Sequence, residues 1–200
     1  MSLDLLLALT EKINRGNTLH EVLDYIFDSF TEAIPYDRMC YAVVSKKDLK
    51  TKAIWNRSNL PNMYLDNGYE EELVFESSLR KIIATGKPRI INDLQKYYND
   101  HGSSQSTQLI LNEGIMSSLT CPLYIYGSIM GFLFFSSTKK DTYKDLHIST
   151  FTGLAGNISG VLEKTRMYQE LKHLNNLKDR FSGSNFSSMD LALLNILFSV

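Results

Sequence analysis

Apolar residues are most concentrated between Ser117 and Ser137, where two apolar runs flank a Tyr-Gly-Ser stretch at 126–128. Such runs around a Gly-Ser pair predict a β-hairpin, because glycine accepts the positive φ that a tight turn requires. Both runs are apolar throughout, which predicts central strands covered on both faces. Gly131 indicates a bulge or a close approach by another element. Pro122 removes one ladder donor and usually marks an edge or a bulge, so it fits a central strand poorly.

Helical periodicity dominates the N-terminal part of the chain. Apolar positions three and four residues apart predict one helix over Leu3–Asn14 and a second from Thr18 to about Ala33. Thr18 is a plausible N-cap, since Glu21 follows three residues later in a capping-box pattern. Pro35 then ends the second helix.

The middle of the chain alternates between strand and helix patterns. These patterns predict strands over 37–45, 51–57 and 89–92, helices over 73–85 and 107–112, and a long helix from Tyr143 past Leu171. Three consecutive glutamates, Glu70–Glu72, are interpreted as a solvated helix start. The polar and aromatic stretch Asp93–Ser106 is interpreted as a loop. Hairpin strands mixed with helices predict an α+β fold with an antiparallel sheet, rather than a βαβ arrangement.

Composition and charge narrow the classes of function that this chain could have. The 200 residues favour one domain with extensions, and 21 basic against 22 acidic residues give a formal net charge of −1. This balance argues against nucleic-acid or membrane binding, which a basic patch would accompany. Two cysteines, Cys40 and Cys121, lie in apolar runs, as is typical of a reducing compartment. Without a signal-peptide pattern or an apolar run of about 20 residues, the expected location is the cytoplasm.

Three stretches resemble one known family. The helix-Gly-x-Pro-strand pattern of Ser77–Leu94, the paired strands of Gly114–Ser137 and the closing helix of Thr142–Glu163 are similar to GAF domains. The resemblance implies an antiparallel sheet of five or six strands, with the terminal helices on one face. It also implies a small-molecule pocket on the other face, under the middle helices and loops. We expect the domain to occupy residues 1–171, followed by a signalling helix, linker and apolar tail over 172–200.

Catalytic chemistry is not expected. The four histidines, His20, His101, His147 and His173, are far apart, and no His/Cys spacing predicts a zinc site. The bilin-binding branch of the family has a Cys-His pair that is missing here, and no cyclic-nucleotide set is evident. Haem would need an axial ligand, for which only His101 is placed. We therefore expect a sensory domain without a cofactor, rather than an enzyme.

A ligand pocket needs aromatic rings and a few polar groups. The candidates are Tyr41, Trp55, Arg80, Tyr97, Tyr98, His101, Ser118 and Thr120, with Arg89 as the alternative to Arg80 for an anionic ligand. An alternative interpretation makes Tyr41 and Trp55 ordinary core residues. Strand parity leaves a second choice open, because either Ser118 and Thr120 or Ser117 and Leu119 would face the ligand.

The long C-terminal helix predicts association. Its apolar residues between Phe151 and Phe181 are spaced three and four apart, which favours a parallel dimer through the terminal helices. Leu171–Phe181 resembles the connector of bacterial sensor histidine kinases, although no phosphoacceptor motif follows it. The predicted function is the input module of a bacterial signalling protein, with an unknown small molecule as ligand. The alternative is a dimerisation scaffold whose pocket is filled by its own side chains.

Overall fold

The computed structural model describes residues 3–15, 18–45, 47–75, 77–102 and 104–183. In these residues the chain forms six helices and six strands. In chain order they are α1 (Leu3–Asn14), α2 (Leu19–Ser29), β1 (Arg38–Ser45), β2 (Lys50–Ser58), β3 (Glu70–Glu72), α3 (Ser78–Thr85), β4 (Arg89–Ile91), α4 (Leu94–His101), α5 (Gln105–Asn112), β5 (Ser117–Ile125), β6 (Ser128–Ser137) and α6 (Asp145–Gly183).

The strands form one antiparallel sheet in the order β3-β2-β1-β6-β5-β4. The predicted hairpin supplies β5 and β6, and β6 lies between β5 and β1. A mixed α+β fold built on an antiparallel sheet is thereby confirmed. Since side chains alternate along a strand, each strand sends one set of residues to each face of the sheet.

Helices at the two ends of the fold pack on one face. The rings of Phe27 in α2 and Trp55 in β2 lie 6.4 Å apart, centroid to centroid, and those of Phe135 in β6 and Phe151 in α6 lie 6.2 Å apart. Helix α3 packs on the opposite face, where Leu79 and Ile82 form a cluster with Phe132. Phe132 and Phe135, which are three residues apart in β6, therefore belong to different layers of the fold.

The pairing of the central hairpin explains why Pro122 and Gly131 occur in its strands. Strand β4 pairs with β5 only from Ser118 to Thr120, so Pro122 lies where this neighbour has already ended. A register shift between Leu123 and Tyr124 follows directly. Gly131 is a site of close approach, because a Cβ atom there would collide with the backbone oxygen of Ala42 and the ring of Tyr41. The hairpin is thus central at one end and an edge at the other.

The second helix begins as predicted and ends early. Thr18 and Glu21 form the expected capping box, in which the Thr18 amide donates to a Glu21 carboxylate oxygen 2.6 Å away. Helix α2 stops at Ser29, several residues before the predicted end at Ala33. Phe30 and Ile34 remain fully buried although they lie outside the helix. The apolar spacing extends past the end of α2 because the turns that follow bury residues on the same side of the chain as the helix does.

Three predictions in the middle of the chain are wrong. Glu70–Glu72 is the edge strand β3, where Lys50 and Lys52 on the neighbouring strand pair with its outer glutamates. Helix α3 starts at Ser78, capped by Ser77, instead of at Leu73. The predicted loop that contains Tyr97, Tyr98 and His101 is helix α4, because Asp93 caps it by accepting from the Lys96 amide.

The chain divides into two compact units, residues 1–161 and 162–200. The predicted boundary at residue 171 stays a prediction. In the second unit the described residues are helical to Gly183, and the apolar tail of residues 189–200 lies outside the described part of the chain. None of the described helices is long and apolar enough to cross a membrane.

Candidate functional site

A cavity of about 920 Å³ lies between the sheet and the middle helices. The floor of the cavity comes from alternate residues of the central strands, and helices α3, α4 and α5 supply the walls. The cavity lining includes Arg38, Cys40, Glu71, Ser78, Arg89, Tyr97, His101, Ser104, Ser106, Ser118 and Phe134. Charged, hydroxyl and aromatic groups are therefore mixed with apolar ones, as small-molecule sites require.

Strand parity decides which hairpin residues reach the cavity. Ser118 lines it, as do Phe134 and Ser136 of β6. Ser117 is directed elsewhere, because its hydroxyl donates to the Lys139 carbonyl oxygen 2.6 Å away. Of the two alternatives that the sequence left open, the set containing Ser118 faces the cavity.

A buried ion pair forms one end of the floor. The Nε atom of Arg38 and a carboxylate oxygen of Glu113 lie 2.9 Å apart, and both side chains are almost fully buried. Arg38 also donates 2.8 Å bonds to Asn56 and to the Leu65 carbonyl oxygen. Glu113 accepts from the Tyr64 and Leu65 amides at 2.7 and 2.9 Å. The pair neutralises its own charges and fastens the segment around Leu65 to the sheet.

Arg89 is the other floor arginine, and its surroundings differ. Its terminal nitrogens donate to the Ser78 hydroxyl and, over 3.1 Å, to the Thr120 hydroxyl. Its Nε atom is buried and has no hydrogen-bond partner among the described residues. Burial lowers the pKa of Arg89, while its electrostatic interactions with Tyr97 and Glu71 act in the opposite direction. No carboxylate forms an ion pair with Arg89 in the described part of the chain.

Aromatic rings extend from Arg89 to the cavity mouth. The guanidinium carbon of Arg89 lies 5.7 Å from the centroid of the Tyr97 ring. The ring of His101 stacks on Tyr97 with centroids 4.3 Å apart, and its Nδ1 atom is 3.1 Å from the Tyr97 carbonyl oxygen. Helix α4 thus places one ring against the arginine and a second, exposed ring behind it.

Glu71 provides a carboxylate in the cavity wall. One of its oxygens accepts from the Ser106 hydroxyl at 2.7 Å, and the other accepts from the Ser104 hydroxyl at 3.3 Å. Ser104 is also the N-cap of α5, where it accepts from the Thr107 amide. The start of α5 therefore fixes the orientation of a charge that belongs to strand β3.

The structure brings together part of the predicted site. Tyr97, His101, Ser118 and Arg89 line the cavity, and Thr120 lies behind Arg89 as its hydrogen-bond partner. The other four candidates lie elsewhere. Tyr41 and Trp55 lie on the face of the sheet that α2 and α6 cover, which is called the helix-covered face below. There the Trp55 indole donates to Asp24 of α2. Tyr41 alternates with Cys40, which lines the cavity, whereas Trp55 and Ala53 lie on opposite faces because the pairing of β1 with β2 shifts register between Tyr41 and Ala42.

Arg80 and Tyr98 are also outside the main cavity. Arg80 lines a separate depression of about 340 Å³ and stacks over Phe75, with its guanidinium carbon 5.5 Å from the ring centroid. Tyr98 follows Tyr97 by one residue, which on a helix turns its side chain by about 100° away from it. Of the two arginines considered for an anionic ligand, Arg89 is the one that reaches the cavity.

Sequence reasoning missed Arg38, Glu113 and Glu71. The ion pair joins residues far apart in the chain, so no local pattern could reveal it. Glu71 was interpreted within a run of three glutamates as solvated charge. The alternation of a strand would have set it apart from its exposed neighbours Glu70 and Glu72, since Glu71 is the half-buried member of β3.

The described residues contain no cluster of three or more His, Cys, Asp or Glu side chains able to hold a metal ion. Burial raises the pKa of Cys40 to about 11, and it also raises the pKa of Cys121. Both thiols are buried and free, so they would remain protonated and weakly nucleophilic at neutral pH. The cavity lining offers charged groups, hydroxyls and aromatic rings to a ligand.

The fold is an antiparallel sheet with helices from both ends of the domain on one face and a polar cavity on the other. The family model described as GAF domain matches residues 16–163, and the chain belongs to this family. Domains of this family are typically sensory modules. None of the curated proteins matches the sequence.

Solved structures of GAF domains share the fold. The GAF domain of a two-component sensor histidine kinase from Bacillus halodurans is 13% identical, with a TM-score of 0.64 over 76% of this chain and 98% of that one. The phycocyanobilin-bound GAF domain of a cyanobacterial phytochrome is 15% identical, with a TM-score of 0.65 over 84% and 98%. Free methionine-R-sulfoxide reductase from Neisseria meningitidis is 14% identical, with a TM-score of 0.62 over 82% and 89%.

Proposed function

We propose that this chain is the input module of a bacterial signalling protein and that its cavity binds a small molecule. The observation that carries the proposal is the cavity itself, whose volume of about 920 Å³ is at the upper end of the usual range for ligand sites. Its floor holds a buried guanidinium nitrogen without a partner among the described residues. A domain that only supports dimerisation would gain stability by filling this space with apolar side chains.

The C-terminal helix is the proposed route of the signal. In the second unit Tyr168, Leu171 and Leu174 are 70%, 58% and 59% exposed. Leu171 and Leu174 are three residues apart, like an a and a d position of a heptad, and the exposed Met167 lies four residues before Leu171 as the alternation of a seam requires. A parallel dimer through this helix would bury them, and a ligand that binds one packing arrangement better would shift the population of the dimer toward it.

A thermal-shift screen tests ligand binding. We expect at least one compound from a panel of nucleotides, amino acids, tetrapyrroles and inorganic anions to raise the melting temperature. A ligand at a hundredfold excess over its Kd adds about 2.7 kcal/mol to the free energy of unfolding. Silence across the panel, together with the absence of a co-purified compound in the mass spectrum, would favour the scaffold alternative.

Light scattering after size-exclusion chromatography tests the dimer. We expect the purified chain to elute as a dimer, and the double substitution Leu171→Glu with Leu174→Glu to make it monomeric. Lys172→Glu is the matched control, because it introduces the same charge at an exposed position between the two leucines. A monomeric parent protein at high concentration would refute the relay.

An enzyme is the less favoured alternative, and the reductase among the structural neighbours is the reason to consider it. Thiol chemistry in the cavity would fall to Cys40, which lines it. Burial, which raises the pKa of this thiol to about 11, keeps it in the unreactive form.

A further inference from the structure

We propose that the cavity recognises a small zwitterion, with a carboxylate of the ligand against Arg89 and an ammonium group against Glu71. α-Amino acids are the simplest molecules of this class. The inference rests on the proposed function, because it specifies the ligand of the same cavity.

The geometry of Arg89 suits the carboxylate of the ligand. Ser78 and Thr120 accept from its two terminal nitrogens and so fix the plane of the guanidinium group. These two bonds use one N–H of each terminal nitrogen and leave the second N–H of each for a ligand, while the Nε–H is buried and has no partner among the described residues. An arginine held in this way presents neighbouring N–H groups as a planar fork, which suits a carboxylate.

Glu71 is the proposed partner of the ammonium group of the ligand. Hydroxyls of Ser104 and Ser106 donate one hydrogen bond to each of its oxygens. A carboxylate has about four lone-pair sites, so both oxygens keep capacity for a further donor. An ammonium group has three N–H donors and a full positive charge, and it would complete this coordination.

Charge balance distinguishes a zwitterion from a simple anion. The other floor pair, Arg38 and Glu113, neutralises itself at 2.9 Å, so neither partner is available to a ligand charge. The other charged lining residues, Glu72 and Lys81, and the lining histidine His101 are exposed at the rim. Arg89 and Glu71 are then the opposite charges that face the cavity interior. A purely anionic ligand would satisfy Arg89 and bring a like charge toward Glu71, whereas a zwitterion satisfies both.

An apolar wall completes the site. Ile110 and Leu65 line the cavity together with Phe134, Cys40 and Ala42. These residues offer a dry surface to the side chain of an amino acid while its charged end lies between the two anchors. Selectivity among amino acids would then follow the shape and apolar area of the ligand side chain.

Isothermal titration with matched compounds tests the two halves separately. The panel is the twenty amino acids, and for the tightest binder also its carboxylic acid without the amine, its amine without the carboxylate, and its methyl ester. We expect each of the three analogues to bind at least tenfold more weakly than the amino acid. Equal binding of the amine-free acid would overturn the Glu71 assignment, and equal binding of the ester or the amine would overturn that of Arg89.

Variants of the full chain give an independent test. Arg89→Lys keeps the charge but loses the fork, and Glu71→Gln keeps the shape but loses the charge, so each should weaken amino acid binding at least tenfold. The controls are Arg80→Lys, outside the main cavity, and Glu70→Gln, the neighbour of Glu71 in β3; both should bind as the parent does. Circular dichroism checks the fold, and Glu71→Gln alone keeps the test decisive if Arg89→Lys does not fold.

The results separate this inference from the proposed function. If no amino acid binds while a nucleotide, tetrapyrrole or inorganic anion does, the zwitterion assignment is overturned and the sensory role stands. If nothing in either panel binds, the sensory role itself fails. Parent-like amino acid binding by both Arg89→Lys and Glu71→Gln would place the ligand elsewhere and overturn the inference.

Discussion

The two faces of the sheet are built differently, although neighbouring residues of the same strands form both of them. On the helix-covered face, aromatic rings such as Phe135 and Trp55 fill the space against α2 and α6. On the opposite face, the strands present a buried ion pair, a partly paired arginine and open volume. The first face buries apolar area and stabilises the fold, whereas the second gives up packing for polar groups.

The two faces should therefore contribute differently to the stability of the fold and to ligand binding. An empty volume forfeits the dispersion contacts that its lining atoms would otherwise make, and buried polar groups cost free energy unless they are paired. The cavity face therefore contributes less to stability per residue than the helix-covered face. Substitutions on the helix-covered face should therefore lower the free energy of unfolding more than substitutions on the cavity face.

The largest effect is expected from the adjacent phenylalanines of β6. Phe135→Ala removes a fully buried ring that packs against Tyr36 and Phe151, and it should cost about 4 kcal/mol. Phe134→Ala removes a half-buried ring that already borders open space, and it should cost only about 1–2 kcal/mol. Urea unfolding of both variants measures the difference, and equal losses would contradict the contrast between the faces.

The buried ion pair tests whether polar groups on the cavity face contribute to stability. Glu113→Ala leaves Arg38 charged and buried without its carboxylate and frees two backbone amides, so we expect a loss of about 3 kcal/mol. Glu70→Gln is the control, because its ion pair with Lys52 is exposed and should contribute less than about 1 kcal/mol. A Glu113 variant as stable as this control would show that the pair serves another purpose.

The smallest effect concerns pH. Burial lowers the pKa of His147, and the charge of Lys144 adds to the effect; the neutral ring accepts from the Lys144 amide. Because the folded-state pKa lies below the unfolded one, the unfolded state takes up the proton first. Stability should therefore fall as the pH drops below about 6.5, the ordinary pKa of histidine. Unfolding measured from about pH 8 to about pH 5 should show a flatter profile for His147→Gln, and identical profiles would exclude this contribution.

The fold was predictable because its signals are local. Continuous apolar runs around a Gly-Ser turn indicate a buried hairpin, and a Thr-x-x-Glu pattern locates a helix start. Helix α4 was missed for a physical reason: its sequence LQKYYNDH buries only Leu94, so apolar periodicity is almost absent. What defines that helix is the Asp93 cap and the contacts of Tyr97 with Arg89 and His101.

The site was less predictable than the fold because it depends on parity and on long-range pairs. The register between β1 and β2 shifts between Tyr41 and Ala42, so no fixed alternation assigns Trp55 to a face in advance. Ser118 could be named as a candidate, but its orientation could not be decided. Arg38 and Glu113 meet only in the folded chain, which leaves no pattern in the sequence.

The short length of β4 has a consequence for how the protein behaves among its own copies. In the described part of the chain, no second strand pairs with β5 past Thr120, and an unpaired strand edge is a template for strand addition unless other parts of the fold cover it. Pro122 and the register shift after Leu123 lie on this stretch. A proline and an irregular register both make a poor template for strand addition. Cys121 and Leu123, on either side of Pro122, are fully buried, so the packing of the fold and the proline together make this edge a poor site for another copy of the chain to add a strand.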